Sequence, residues 1–224
     1  MEEETQQQKI LRQAGSSAIK SFMMTSFFFG LGIVLVPYIL PTIFEGTDIS
    51  PGAAGFLLAM PYIVSCLGIP LINYYMLNIG TENTILYSNI GFAFGILFSG
   101  FAIIANKSAN KVIALVVGGV LVGFGFAANF TAEAVLILKY SPVKERERNI
   151  GYFRASQGFG TVLAPILISG MYVFTGYFGS FAFVTTFLLI VTPFVDNTVR
   201  ATRNTYKAQL ELPEQDEEEI ENLI

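Results

Sequence analysis

The chain has 224 residues, of which 53% are hydrophobic and 13% charged, against roughly 25% charged residues in an ordinary soluble domain. It has no His and a single Cys, Cys66, so no disulfide framework and no Cys/His metal site can be assembled, and no cofactor is expected. The net charge of -4 is concentrated in an acidic stretch over 211–221, and a negative chain without a basic stripe argues against nucleic acid as a partner.

The chain opens on the acidic Met1-Glu2-Glu3-Glu4. Its first apolar run is too long for a signal-peptide core, so no cleaved signal is read. A bilayer-spanning helix needs about 20 mostly apolar residues. Six runs qualify, at 21–41, 52–73, 84–105, 112–138, 150–173 and 177–195. Six helices of a soluble bundle would carry polar faces at helical spacing, and these runs carry almost none. The predicted fold class is therefore an all-α membrane protein with six transmembrane helices, and its first partner is the lipid bilayer. Residues 1–20 form an N-terminal segment, 21–195 the transmembrane domain and 196–224 an acidic tail. Cys66 is expected to be buried in the second run.

Orientation follows from Lys and Arg. Lys9, Arg12 and Lys20 precede the first run, Lys139, Lys144, Arg146 and Arg148 follow the fourth, and Arg200, Arg203 and Lys207 follow the sixth. Only Lys107 and Lys111 fall in connections on the other side. With an even number of spans, both termini are predicted to be cytosolic. Asn106-Lys107-Ser108 is then a glycosylation sequon on the far side, too close to the third run to be used. Gly91/Gly95, Gly119/Gly123 and Gly160/Ala164 are small residues four apart, a spacing that lets helix backbones approach closely in lipid.

No catalytic constellation is visible, and no enzyme is expected. The informative residue is Glu133, inside the fourth run, because an ionised side chain at a helix centre costs about 2.5–3.5 kcal/mol on insertion scales and turns inward. Asn129 lies one turn earlier on the same face. Arg154 lies one turn into the fifth run, at similar depth on the adjacent antiparallel helix. Two readings follow: a substrate or proton site containing Glu133, Asn129, Arg154 and Gln157, or an ion pair between Glu133 and Arg154 that holds the hairpin together.

Family resemblance enters with the stretch Ser141-Pro142-Val143-Lys144-Glu145-Arg146-Glu147-Arg148-Asn149-Ile150-Gly151. It resembles the major-facilitator loop between spans four and five, with Arg146 five residues before Gly151. Gly158-Phe159-Gly160-Thr161-Val162-Leu163-Ala164-Pro165 resembles the span-five antiporter signature. Gly160 and Pro165 fit that signature, while Ala164, Ile168 and Ser169 stand where it has glycines. Gly30, Gly32, Pro37 and Pro41 echo the end of span one in drug and vesicular amine transporters. The resemblance covers 22–195 and is nearest to the N-terminal six-helix half of the vesicular amine and polyamine branch. In the loop after span two, Asn73 and Leu77 replace the signature's first Gly and its Asp. Gly80 survives there, but Thr81 and Glu82 stand where bases belong. In span four, Gly119, Val122 and Gly123 replace an Arg-x-x-Gln-Gly pattern whose Arg is associated with proton coupling.

The resemblance implies a rocker-switch carrier that moves a small organic solute, cationic in that branch, by proton-coupled antiport. Such a carrier closes its site between two six-helix halves. It thus implies a second half-transporter chain or a homodimer as partner, with Glu133, Asn129 and Gln157 turned toward it. The alternative is a half-size membrane subunit, or a truncated copy, that keeps the fold without transporting. The last residues, with three residues separating Glu219 from Leu223-Ile224, resemble an acidic dileucine sorting signal, which implies a vesicular or endolysosomal membrane.

Overall fold

A computed structural model describes residues 6–45 and 47–210. The acidic tail, with Glu219, Leu223 and Ile224, lies outside the described residues. Every regular element among the described residues is helical: α1 (Gln6–Phe44), α2 (Pro51–Ile79), α3 (Thr81–Ile104), α4 (Ser108–Ala128), a π-helical turn (Asn129–Glu133), α5 (Ala134–Tyr140), a 3-10 turn (Val143–Glu145) and α6 (Arg146–Leu210). The boundaries have local causes. Ser50 caps α2 by accepting the Ala53 N–H at 3.3 Å, with Pro51 in the first position. Gly80, at φ 86°, turns α2 into α3.

Five helical runs are long and apolar enough to cross a membrane: Gln8–Phe44, Pro51–Ile79, Thr81–Ile104, Ser108–Tyr140 and Val143–Ala208. The sequence reading expects six, and the difference lies in the last run, where the fifth and sixth apolar stretches are joined. That run has 66 residues. As one straight helix it would be about 100 Å long at 1.5 Å per residue, far beyond a hydrocarbon core of about 30 Å. It is not straight, because Gly176 is non-helical at φ 68°, ψ 179°, a region open essentially to glycine alone.

The chain reverses there. Before Gly176 the run lies parallel to α1: Ser156 Oγ donates to the Met23 carbonyl at 2.6 Å, and Tyr38 pairs with Ser169 at 2.7 Å. After Gly176 it lies antiparallel to α1. Phe28 stacks on Phe187, Thr202 Oγ1 donates to the Ala14 carbonyl at 3.1 Å, and Tyr206 reaches Leu11. The helices also extend past the predicted apolar stretches, and α1 already runs through Lys9, Arg12 and Lys20.

Small residues set the closest approaches. A Cβ on Gly160 would overlap the Phe27 carbonyl, and one on Gly30 would overlap the Gln157 carbonyl, so α1 and α6 cross almost backbone to backbone. Gly95 meets Gly118 between α3 and α4, and Gly123 meets Pro61 and Val64 of α2. Gly91 meets nothing. Two main apolar cores result, beside a small cluster of Ile72, Ala127 and Ala128. One holds Phe29, Leu35, Ile39, Phe92, Ile96 and Phe181, with Phe29 and Phe92 stacked at 3.9 Å. The other holds Phe22, Ile85, Leu136, Tyr140, Phe153 and Val195. The outside is apolar too: Leu67, Leu77, Val162, Val173 and Phe174 are each at least 70% exposed. A water-facing patch of this kind marks an interaction surface, and hydrocarbon satisfies it. Cys66 is exposed on α2 rather than buried, because the apolar stretch around it faces outward.

The α1–α6 crossing gives a direct test. Gly160→Val and Gly30→Val force a side chain into backbone and should each cost about 1–3 kcal/mol, the usual range for overpacking. Gly158→Val meets nothing within 4 Å and should be tolerated. Heating in detergent, followed by size exclusion of the surviving monodisperse fraction, should rank Gly158→Val with the parent and the other two well below it.

Candidate functional site

The one irregularity in the fourth run is the π-helical turn Asn129–Glu133. Such a turn widens the helix and frees backbone carbonyls, and π-bulges occur frequently at functional sites. Asn129 and Glu133 stand at its two ends on one face, and Asn129 Nδ2 donates to Glu133 Oε2 at 2.7 Å. Both side chains are fully buried. Asn89 of α3, 2% exposed, stands beside the Glu133 carboxylate, with its Nδ2 short of hydrogen-bond geometry. Three buried atoms are thus without a hydrogen-bond partner: Glu133 Oε1, Asn129 Oδ1 and Asn89 Nδ2. The cluster sits at the seam of the two apolar cores. Asn89 falls between Ile85 of one and Phe92 of the other, and Asn129 between Val122 and Ala132.

Arg154 does not join this cluster. Its Nη2 donates to the Phe130 carbonyl, inside the π turn, at 3.2 Å, and its Nη1 reaches Gln157 Oε1 at 3.5 Å. The guanidinium lies 3.9 Å from the centre of the Phe130 ring and 5.0 Å from that of Phe153, within cation–π range. The predicted Glu133–Arg154 ion pair is therefore not formed. The two residues share a depth, but Glu133 turns toward α3 while Arg154 spends its donors on the carbonyl that the π turn exposes. The expectation that Glu133, Asn129 and Gln157 face an open wall is also corrected, since all three are buried within the bundle itself.

The structure thus divides the predicted site in two. Glu133 and Asn129 form one group, Arg154 and Gln157 the other, joined through Phe130. Of the motif residues, Arg146 Nε donates to the Leu138 carbonyl at 3.1 Å, Gly151 is exposed with nothing near its Cα, Gly160 makes the α1 crossing and Pro165 lies inside α6. Sequence reasoning missed Asn89 and Phe130. Asn89 carried a readable signal, an amide in the middle of an apolar run. Phe130 carried none, because its role depends on the π turn.

A family model described as Major Facilitator Superfamily matches residues 22–215. No curated protein matches the chain.

The geometry predicts which substitutions are coupled. Glu133→Gln and Arg154→Gln should be additive in thermal stability to within about 0.5 kcal/mol, as independent sites are. Arg154→Gln with Phe130→Ala should deviate from additivity by about 0.5–2 kcal/mol, because the first change removes the cation that the second ring holds. A double-mutant cycle in detergent measures both, and a large Glu133–Arg154 coupling would contradict the geometry.

Proposed function

The chain belongs to the Major Facilitator Superfamily, and on that premise we propose that it forms a six-span half of a carrier for a small organic solute, with Glu133 as its proton-coupling group. Members of this family are transporters rather than enzymes. The observation that carries the reading is the Glu133–Asn129–Asn89 cluster. A carboxylate fully buried at the seam of two apolar cores is costly, and in a membrane protein such a group marks a substrate or ion pathway. Arg154, half-buried, and Gln157, buried beside it, lie across the Phe130 carbonyl from Glu133, and they are the proposed contacts for the solute.

The reversal at Gly176 supports counting its two arms separately, which makes six spans. Six is the size of one half of a rocker-switch carrier, so a second half is required, either another chain or a second copy related by a two-fold axis. The run from Gly158 to Pro165 supports kinship with the vesicular amine and polyamine branch, hence a cationic solute. The tail residues Glu219, Leu223 and Ile224 support a vesicular or endolysosomal membrane. The basic residues support cytosolic termini.

A second reading, a non-transporting half-size subunit or truncated copy, is favoured by a different observation. Glu82, at the start of α3 where the family carries bases, is engaged by Arg203 of the same chain at 2.7 Å.

Three measurements test these readings. Single-cysteine reporters at Thr47 and Lys144, in a Cys66→Ser background, should label from opposite sides of the membrane. In nanodiscs the mass should be that of a dimer or of a complex with another chain. In proteoliposomes carrying a pH gradient, uptake of radiolabelled monoamines or polyamines should lose its dependence on the gradient in Glu133→Gln. A stable monomer without uptake favours the subunit reading.

A further inference from the structure

Behind Asn89 the structure opens a narrow cleft between α3 and α6. Its walls are Glu82, Ile85, Leu86 and Asn89 on one helix, and Thr192, Val195, Asp196 and Val199 on the other. Both sets have the spacing i, i+3, i+4, i+7, the pattern of one helical face. The walls are apolar in the middle and polar at both ends. The outer end carries Glu82, held by Arg203 at 2.7 Å, and Asp196, held by Arg200 at 2.9 Å, while Arg200 also reaches Asn83 at 3.2 Å. The inner end carries Thr192 and Asn89. The cavity is about 10 Å³, which is close to the space one buried water needs. Past Asn89 comes Glu133.

The unpartnered atoms give this cleft a direction. Glu133 Oε1 lacks a donor, Asn89 Nδ2 lacks an acceptor, and both are out of contact with solvent. A bare carboxylate oxygen in an apolar core costs several kcal/mol. A proton on Oε1, with a water bridging it to Asn89, removes both deficits at once.

We propose that Glu133 takes up and releases its proton through the α3–α6 cleft, on the side where α1 begins and α6 ends, by a route separate from the face that meets the solute. In the uptake step a hydronium in the cleft gives its proton to Oε1. One O–H bond breaks, one forms, and a neutral water and a neutral carboxylic acid remain. Release runs the same step backwards. The charged and titratable groups facing this path are Glu82 from α3, Asp196, Arg200 and Arg203 from α6, and Tyr140 and Tyr206 beside them. Arg154 faces Glu133 from the first arm of α6. The proposal rests on Glu133 as the proton-coupling group, but its test does not need a moving solute.

The experiment is infrared difference spectroscopy of the full chain in nanodiscs. A carboxylic-acid C=O band that disappears in Glu133→Gln is assigned to this residue, and its shift after transfer to heavy water times the exchange. Asn89→Leu removes the water's partner, and Val195→Trp fills the cleft. Each should slow the exchange about tenfold, equal to about 1.4 kcal/mol of added barrier. Thr192→Val, nearly isosteric, should slow it in the same direction and covers the case in which a larger change prevents folding. Val162→Ala, an exposed side chain on the first arm of α6 outside the site, should leave the rate unchanged. No band assignable to Glu133 would overturn the proposal, as would a parent-like rate in the cleft variants or an equal slowing in Val162→Ala. Loss of uptake in Glu133→Gln with unchanged exchange in the cleft variants would leave the coupling role standing and reject the route alone.

Discussion

The fold depends on the grip of α6 on α1. In hydrocarbon there is no hydrophobic drive to bring helices together, so association comes from close packing and from hydrogen bonds between helices. Gly30 and Gly160 let α1 and the first arm of α6 cross almost at backbone contact. Ser156 and Thr161 then donate to α1 carbonyls at Met23 and Gly30. The turn at Gly176 returns the second arm to the other flank of α1, where Thr202 and Tyr206 donate again. The first helix in the chain is thereby enclosed by the last, and α3 is packed against the second arm through Gly100 and Phe181. With these three helices fixed, the face of the fourth run that bears Asn129 and Glu133 meets Asn89 of α3.

The charged ends obey different physics from the middle. Near the start of α1, Glu145 accepts from Arg12 at 3.0 Å and from Arg148 at 2.8 Å, which ties α1 to the connection before α6. Both arginines are 56% exposed, and ion pairs of that kind contribute at most about 1 kcal/mol. They fix register more than they add stability. In the middle the balance reverses. A single unpaired polar atom there costs about 1–3 kcal/mol, so three of them around Glu133 outweigh the whole charged rim.

How far the sequence was legible follows from which signals are local. Hydrophobic run length marked the helices that cross the membrane, and a lone carboxylate in an apolar run marked Glu133. Gly176 stood between two apolar runs and was readable as a break, but the helical hydrogen bonding continues on both sides, so six runs became five continuous ones. The Glu133–Arg154 pair failed for a reason that periodicity cannot supply. A regular helix puts residues 129 and 133 on one face, but a π turn changes how that face is aimed and uncovers the Phe130 carbonyl, which Arg154 then takes. Asn89 was within reach of sequence reasoning by the same rule that found Glu133. It was passed over because an amide is less conspicuous than a charge.

The connection between α2 and α3 shows how a departure from the family's pattern can be compatible with its fold. The resemblance implies basic residues there, and this chain has Thr81 and Glu82 instead. Read alone, that is a lost signature. In the structure, Glu82 meets Arg203 and Asn83 meets Arg200, both from the second arm of α6. The side chain of Glu82 is only 13% exposed and that of Arg203 37%, so this pair is less screened than the Arg12–Glu145 pair. What the position supplies is a bridge from the α2–α3 junction to α6, and that bridge survives a change in the sign of the charge provided the partner supplies the opposite one. Bases at the junction would instead face Arg200 and Arg203 and repel them. The acid at position 82 and the basic patch at the end of α6 therefore form one feature, and the ion-paired mouth of the α3–α6 cleft follows from it.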